Sequence, residues 1–230
     1  MSRDLSTRAL EEEQMDAETL SPVVYAQVLA GLARINTATL TARPTIRFLK
    51  RAATGPFRLL DVGYGDGGML RAIWRWAGKH GIACDLVGID LNPRSEAVAL
   101  ARHPAQAPIT YRTGDYAALA DEPWDFIISS LVTHHMDDPQ RSAFLRFMEA
   151  TARRGWFVND LHRHALAYHG YPWAARLLGV HRIVREDGQL SIARSFRPAE
   201  WHDMLNAAEL DGIATVERLF PFRLCVSRIK

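Results

Sequence analysis

The chain predicts an α/β fold with a doubly wound, mostly parallel sheet, and three observations carry that reading. Short apolar runs, among them "FRLLDVG", "ACDLVGIDL", "WDFIISSLV" and "GWFVND", alternate with amphipathic stretches. Such alternation implies parallel strands covered by helices on both faces. A glycine-rich turn, "LLDVGYGDGG", joins the first run to the helix after it. The last two runs, "GIATVERLF" and "FRLCVSRI", are separated only by Pro221, too little for a parallel crossover, so they pair antiparallel.

In chain order, residues 1–18 are polar and acidic, and "PVVYAQVLAGLARIN" then sets Val24, Val28, Leu32 and Ile35 on one helical face. "PTIRFLKRAA" is a second helix, opened by Pro44. After the first strand, "GMLRAIWRWAGKHG" is a helix stopped by Gly81, and "SEAVALARH" another. "ITYRTGDY" is the third strand, and "DPQRSAFLRFMEATARR" a helix with Asp138 as its cap. Beyond the fifth strand come the histidine-rich "FVNDLHRHALAYHGY", a hairpin around "REDGQLSIARSF" and a helix in "PAEWHDMLNAAE". This divides the chain into a helical cap (1–55) and a core (56–230) carrying a lid at about 161–195.

Composition narrows the function. Of 230 residues, 48% are apolar and 23% charged, ordinary for a soluble domain. The net charge of +2 is spread along the chain, which argues against a nucleic-acid surface. Lysine occurs only at Lys50, Lys79 and Lys230, an arginine-for-lysine bias suggestive of a high-GC bacterial genome. Cys84 and Cys225 lie far apart in apolar runs and read as free thiols of a reducing compartment. The N-terminus lacks the apolar core of a secretory signal, and no run approaches the roughly 18 apolar residues of a membrane span. A cytoplasmic protein, monomer or homodimer, is expected.

Within the glycine turn, Gly63, Gly65 and Gly67 allow a tight turn and close approach of a ligand, at the crevice where open α/β sheets bind nucleotides. Gly63, Gly65 and Gly68 also satisfy the spacing of a dinucleotide dehydrogenase, so NAD is a competing cofactor. Asp61 tilts against it, because a carboxylate two residues before the first glycine suits an ammonium and a sulfonium better than a pyrophosphate. Asp115 offers a second carboxylate to the same crevice, and Asp90 ends the second strand where it can accept hydrogen bonds from ribose hydroxyls.

Through "LLDVGYGDG", "LVGIDLNP", "TGDY" and "DFIISSLVTHHMDD", the chain resembles the class I S-adenosylmethionine-dependent methyltransferases. It is especially similar to bacterial small-molecule members of natural-product type that carry "GIDLNP", "THH", "NDLHRH" and "DGQLSIARSF" in this order. The resemblance implies a Rossmann-like seven-stranded sheet in order 3-2-1-4-5-7-6. It implies S-adenosylmethionine as cofactor, with S-adenosylhomocysteine as product. Asp61 and the backbone from Gly63 through Tyr64 and Gly65 to Gly67 would hold the methionine moiety. Asp90 would bind the ribose, Leu91 the adenine ring and Asp115 the adenine amino group, with Tyr116 beside it and Ser130 near the sulfonium. Tyr64 and Asp66 stand where smaller residues are commoner.

Nucleobase acceptors are not expected, since "SSLVTHH" replaces the Asn/Asp-Pro-Pro-aromatic run of amino-directed enzymes and no cysteine is placed as a nucleophile. A small phenolic or polyketide-like acceptor, methylated on oxygen, fits better. Its proton needs a base, and histidine serves near neutral pH. His134 and His135 follow the fourth strand, with His135 favoured as substrate-facing; His162 is a third candidate. His164 and Tyr168, together with Tyr171, form a stripe fitted to an acceptor pocket or to packing of a lid helix. Tyr25 closes over the same opening, and Arg194 orients an anionic acceptor. No metal is expected: on a helix His162 and His169 lie about 10.5 Å apart, too far for Zn–N bonds of about 2.0–2.1 Å. A cofactor-binding partner protein without transferase activity is the remaining alternative.

Overall fold

The structure is a computed structural model and describes residues 3–230. Five strands run parallel: β1 (Phe57–Val62), β2 (Cys84–Asp90), β3 (Ile109–Thr113), β4 (Trp124–Ser130) and β5 (Ala152–Leu161). The last strand, β7 (Arg223–Ile229), lies antiparallel between β5 and β6 (Thr215–Leu219). The order is β3-β2-β1-β4-β5-β7-β6, as the resemblance implies.

Eight α-helices accompany the sheet among the described residues: α1 (Pro22–Ala38), α2 (Ala42–Ala52), α3 (Gly68–Lys79), α4 (Pro93–Leu100), α5 (Asp138–Thr151), α6 (Ala165–Leu177), α7 (Arg182–Arg194) and α8 (Pro198–Ala207). On one face of the sheet, Trp124, Ile127 and Trp156 meet Phe144 and Met148 of α5 and Trp201 of α8. On the other, Phe126 and Phe157 meet Phe48 and Leu49 of α2 and Leu70 and Ile73 of α3. Each large apolar side chain buried this way contributes about 1.5–3 kcal/mol. A smaller cluster joins Val28 and Ile35 of α1 to Ala175 of α6 and Val184 of α7.

Helix α2 covers the sheet, whereas α1 packs on α4 and α7. Helix α2 begins at Ala42, with Pro44 inside its first turn. The cap of α5 is Asp137, not Asp138: its side chain accepts from the Gln140 amide and Gln140 answers to the Asp137 amide.

The hairpin expected around "REDGQLSIARSF" is helix α7. Its Asp-Gly pair reads as a turn, but Gly188 marks a close helix crossing: a Cβ there would fall 2.1 Å from the Tyr171 hydroxyl. The same crossing accommodates Pro172 within α6. Proline has no N–H for the carbonyl four residues back, and Gln189 of α7 supplies the missing donor to the Tyr168 carbonyl at 3.1 Å.

Ahead of α1, the acidic N-terminal stretch is a strap held to the core. Arg163 donates to the Leu5 carbonyl at 3.0 Å, Arg194 to the Glu11 carbonyl at 2.8 Å and Arg94 to the Leu20 carbonyl at 2.8 Å. Asp187 accepts from the Gln14 and Met15 amides at 3.0 and 2.9 Å.

Candidate active site

The glycine loop crosses the carboxyl end of β1 with Gly63, Gly65 and Gly67 at φ +78°, +54° and +71°. These are left-handed conformations that glycine adopts without steric cost. At Gly63 space forbids a side chain as well, since a Cβ would lie 2.4 Å from Val132 Cγ2 just after β4. The turn is fixed by the Gly67 amide donating to the Tyr64 carbonyl at 2.8 Å and the Gly65 amide to Asp90 Oδ2 at 2.9 Å.

Beneath this loop, Asp61 is 1% exposed and neither carboxylate oxygen has a hydrogen-bond partner. Burial, then the neighbouring charges of Asp90 and Asp66, pushes its pKa up to about 8. An unpaired buried carboxylate is costly, and a ligand ammonium would compensate it, so the residue fits the amino-acid end of S-adenosylmethionine. Asp90 is half-buried; the Asn92 amide donates to its Oδ1 at 2.9 Å, and its remaining acceptor capacity suits ribose hydroxyls. Leu91 is exposed at the rim, and Ser130 Oγ is buried without a partner.

Tyr64, Tyr116 and Asp115 each have a partner within the protein. The Tyr64 side chain turns into the core against Tyr111, ring centroids 5.1 Å apart, over the space left by Gly88; only its backbone belongs to the loop. Tyr116 packs on Phe144 and Phe147 of α5. Asp115 lies beyond the end of β3, exposed, and caps a short turn by accepting from the Ala117 amide at 2.9 Å. Asp66 is spent within the loop, paired with Arg71 at 2.9 Å and Arg102 at 3.0 Å.

One strand over, a 3-10 turn (Thr133–His135) follows β4 and presents the two histidines. His134 is 2% exposed, and its Nδ1 lies 2.7 Å from Asp160 Oδ1 at the end of β5. Thr133 Oγ1 and the His134 amide both donate to the other Asp160 oxygen. Burial disfavours the imidazolium, but the Asp160 charge and hydrogen bond, joined by Glu13, outweigh it and raise His134 to about 9. Burial likewise opposes the Asp160 carboxylate, yet His134 holds it down at about 2. His135 is partly exposed, its Nδ1 3.1 Å from Asp16 Oδ2. Glu13 of the strap faces both rings, its Oε1 3.6 Å from His134 Nε2 and 3.8 Å from His135 Nε2.

The histidines of the fifth-strand segment do not join this pair. The His162 amide donates to the Phe222 carbonyl at 2.9 Å, and its ring sits near His164 at 5.5 Å and among Arg218, Arg197 and Arg163. His164 caps α6, accepting from the Leu166 amide at 3.2 Å, and packs at a tilt against Phe222, ring centroids 5.2 Å apart. Tyr171 donates to the Val184 carbonyl at 2.7 Å inside the α6–α7 crossing, where the Tyr168 carbonyl is engaged by Gln189. Arg194, expected on a hairpin and facing an anion, is buried on α7 with its guanidinium on the strap. Tyr25 is 3% exposed, its hydroxyl 2.9 Å from Ser95 Oγ and its ring under Arg94, so it locks α1 to α4.

Glu13, Asp16 and Asp160 are the site residues that sequence reasoning passed over. Adjacent parallel pairing of β4 and β5, with Ser130 opposite Asn159, was the available signal for Asp160. Nothing in the sequence marks Glu13 within its acidic run.

Known proteins share this fold. Residues 60–158 match the family model described as a methyltransferase domain. The magnesium protoporphyrin IX methyltransferase from Synechocystis PCC 6803, with bound S-adenosylhomocysteine, superposes at TM-score 0.56 and 15% identity, covering 94% of this chain and 91% of that one. The plantazolicin methyltransferase BpumL in complex with S-adenosylhomocysteine gives 0.59 at 14% identity, covering 89% and 84%. Human N-acetylserotonin methyltransferase with S-adenosylmethionine gives 0.60 at 16% identity, covering 95% of this chain and 63% of that one. No curated protein sequence matches at a significant level. Residues 60–158 thus match a methyltransferase domain, and the fold is shared with class I methyltransferases solved with S-adenosylmethionine or S-adenosylhomocysteine.

Proposed function

We propose that the protein transfers the S-adenosylmethionine methyl group to a hydroxyl oxygen of a small phenolic or polyketide-like acceptor. The observation that carries this reading is the paired histidine turn after β4, which packs through Val132 against Gly63 of the cofactor loop. Asp61 and the loop backbone would hold the methionine end, Asp90 the ribose, Leu91 and Asp115 the adenine, and Ser130 the sulfonium side. The named activities of the similar structures, on magnesium protoporphyrin IX, plantazolicin and N-acetylserotonin, support a small-molecule acceptor.

The donor supplies an electrophilic methyl group. The new O–C bond forms as the S–C bond breaks in line, and alignment alone is worth up to ~7–11 kcal/mol. The acceptor's proton passes to a histidine. His134, held as an imidazolium by Asp160 at neutral pH, is the electrostatic partner in this scheme, and His135 is the base.

Methyl-labelled S-adenosylmethionine and a panel of phenols, read by mass spectrometry, test the reading. An O-methyl product is expected, with turnover cut by about 10²–10⁴-fold in His135→Ala and cofactor binding retained. Undiminished turnover in His135→Ala would remove the base assignment. Binding of NAD without S-adenosylmethionine would overturn the reading.

A further inference from the structure

We infer that Glu13, His134 and His135 form a binding site for one divalent cation of the zinc class. Glu13 Oε1, His134 Nε2 and His135 Nε2 are the one group among the described residues whose nitrogen, sulfur or carboxylate ligand atoms converge in this way, all lying within 4.8 Å of one another. The Glu13 contacts of 3.6 and 3.8 Å are too long for hydrogen bonds. With Zn–N and Zn–O bonds of about 2.0–2.2 Å, tetrahedral ligand atoms sit roughly 3.3–3.6 Å apart, so the two Glu13 contacts already lie close to that spacing.

Two independent features point to a ligand. His134 Nε2 is buried without a partner although the residue is 2% exposed. Each imidazole is also anchored from behind by a carboxylate, His134 Nδ1 on Asp160 at 2.7 Å and His135 Nδ1 on Asp16 at 3.1 Å. A carboxylate behind each imidazole fixes its orientation and makes Nε2 a better ligand. Ser191 Oγ, donating to Glu13 Oε1 at 2.7 Å, steadies the third ligand.

Two imidazoles and one carboxylate suit zinc, cobalt or ferrous iron better than magnesium or calcium, which favour all-oxygen sets. Three protein ligands leave a coordination position open. The cation would clasp the N-terminal strap onto the end of β4, taking the place of a proton on His134 Nε2. What the open position does rests on the proposed function and alters one step of it: with the cation bound, His134 and His135 are ligands, and the acceptor oxygen at the open position would lose its proton to solvent in place of His135.

The test uses the untagged full chain, stripped with EDTA, dialysed and titrated with Zn²⁺ by calorimetry and with Co²⁺ by visible absorption. One equivalent is expected, with the intense cobalt bands of a four- or five-coordinate site. Glu13→Gln and His135→Ala, folded by near-UV circular dichroism, should each bind at least tenfold more weakly, and Asp16→Asn about 10- to 100-fold. A wild-type chain that binds neither ion, or equal affinity in Glu13→Gln and His135→Ala, overturns the site. S-adenosylmethionine binding on the same samples separates the two readings. Cofactor binding with no cation sinks the cation site alone; cation binding with no methylated phenol sinks the proposed acceptor alone.

Discussion

Asp160 Oδ1 meets His134 Nδ1 at 2.7 Å, tying the end of β5 to the turn after β4 through a pair almost wholly shielded from water. Asp160→Asn leaves a buried imidazole without its counter-charge, and should cost about 3–5 kcal/mol in urea denaturation. The pH profile of the EDTA-treated protein gives the sign. His134 is raised from 6.5 to about 9, so its stabilisation is complete below 6.5 and is lost as pH rises through 9. Asp160 is lowered from 3.8 to about 2, so its stabilisation is complete above 3.8 and is lost as pH falls through 2. The stability difference between wild type and Asp160→Asn should therefore be greatest between these limits, near pH 4–6.5. A flat difference would show that the pair is uncharged.

Asp61 carries the opposite sign for an acid. Its pKa is raised from 3.8 to about 8, so stability is lost as pH climbs through that interval and the full penalty stands above it. Asp61→Asn should match wild type below pH 3.8 and exceed its stability at pH 9, while binding S-adenosylmethionine more weakly. Calorimetric affinity and thermal unfolding at the two pH values check both halves.

Gly63 and Gly81 separate backbone strain from steric exclusion. Both have positive φ, but a Cβ at Gly81 meets nothing, whereas at Gly63 it runs into Val132. Gly81→Ala should cost roughly 1–2 kcal/mol. Gly63→Ala adds about 1–3 kcal/mol of overpacking and should abolish measurable cofactor binding, which Gly81→Ala leaves intact.

At the α6–α7 crossing, Gly188→Ala should destabilise by about 1–3 kcal/mol, because Tyr171 Oη is held on the Val184 carbonyl and cannot withdraw cheaply. Tyr171→Ala removes the obstacle. The double variant should then be more stable than the sum of the single losses predicts, as read from a double-mutant cycle in urea.

Arg194 binds the strap. Arg194→Met should leave acceptor KM unchanged while speeding proteolytic cleavage within residues 3–21, because the Glu11 carbonyl loses its donor. A raised KM with unchanged cleavage would return Arg194 to the acceptor site.

The sheet was legible because each strand announces itself locally: apolar runs such as Ile127–Ile128 and Phe157–Val158 must be buried on both faces, and a single proline at Pro221 permits one pairing. The glycine loop was legible for the same reason, since its φ angles and the carboxylates of Asp61 and Asp90 are written within a few residues of each strand end. Gly188 misled because a glycine that lets two helices touch looks, in one dimension, like a glycine that turns the chain.

What the sequence by itself determined is the alternation of strands and helices, the antiparallel pairing at the end of the sheet, the glycine loop and the place of His134 and His135 after the fourth strand. Only the tertiary structure decided that His164 packs on Phe222, that Arg194 holds main chain, and that Glu13, over a hundred residues from His134 and His135, faces both of them. The physical reason is range. Hydrophobic period and turn chemistry act between neighbours along the chain, whereas a buried carboxylate finds its imidazole only after the strap has closed over β4 and β5.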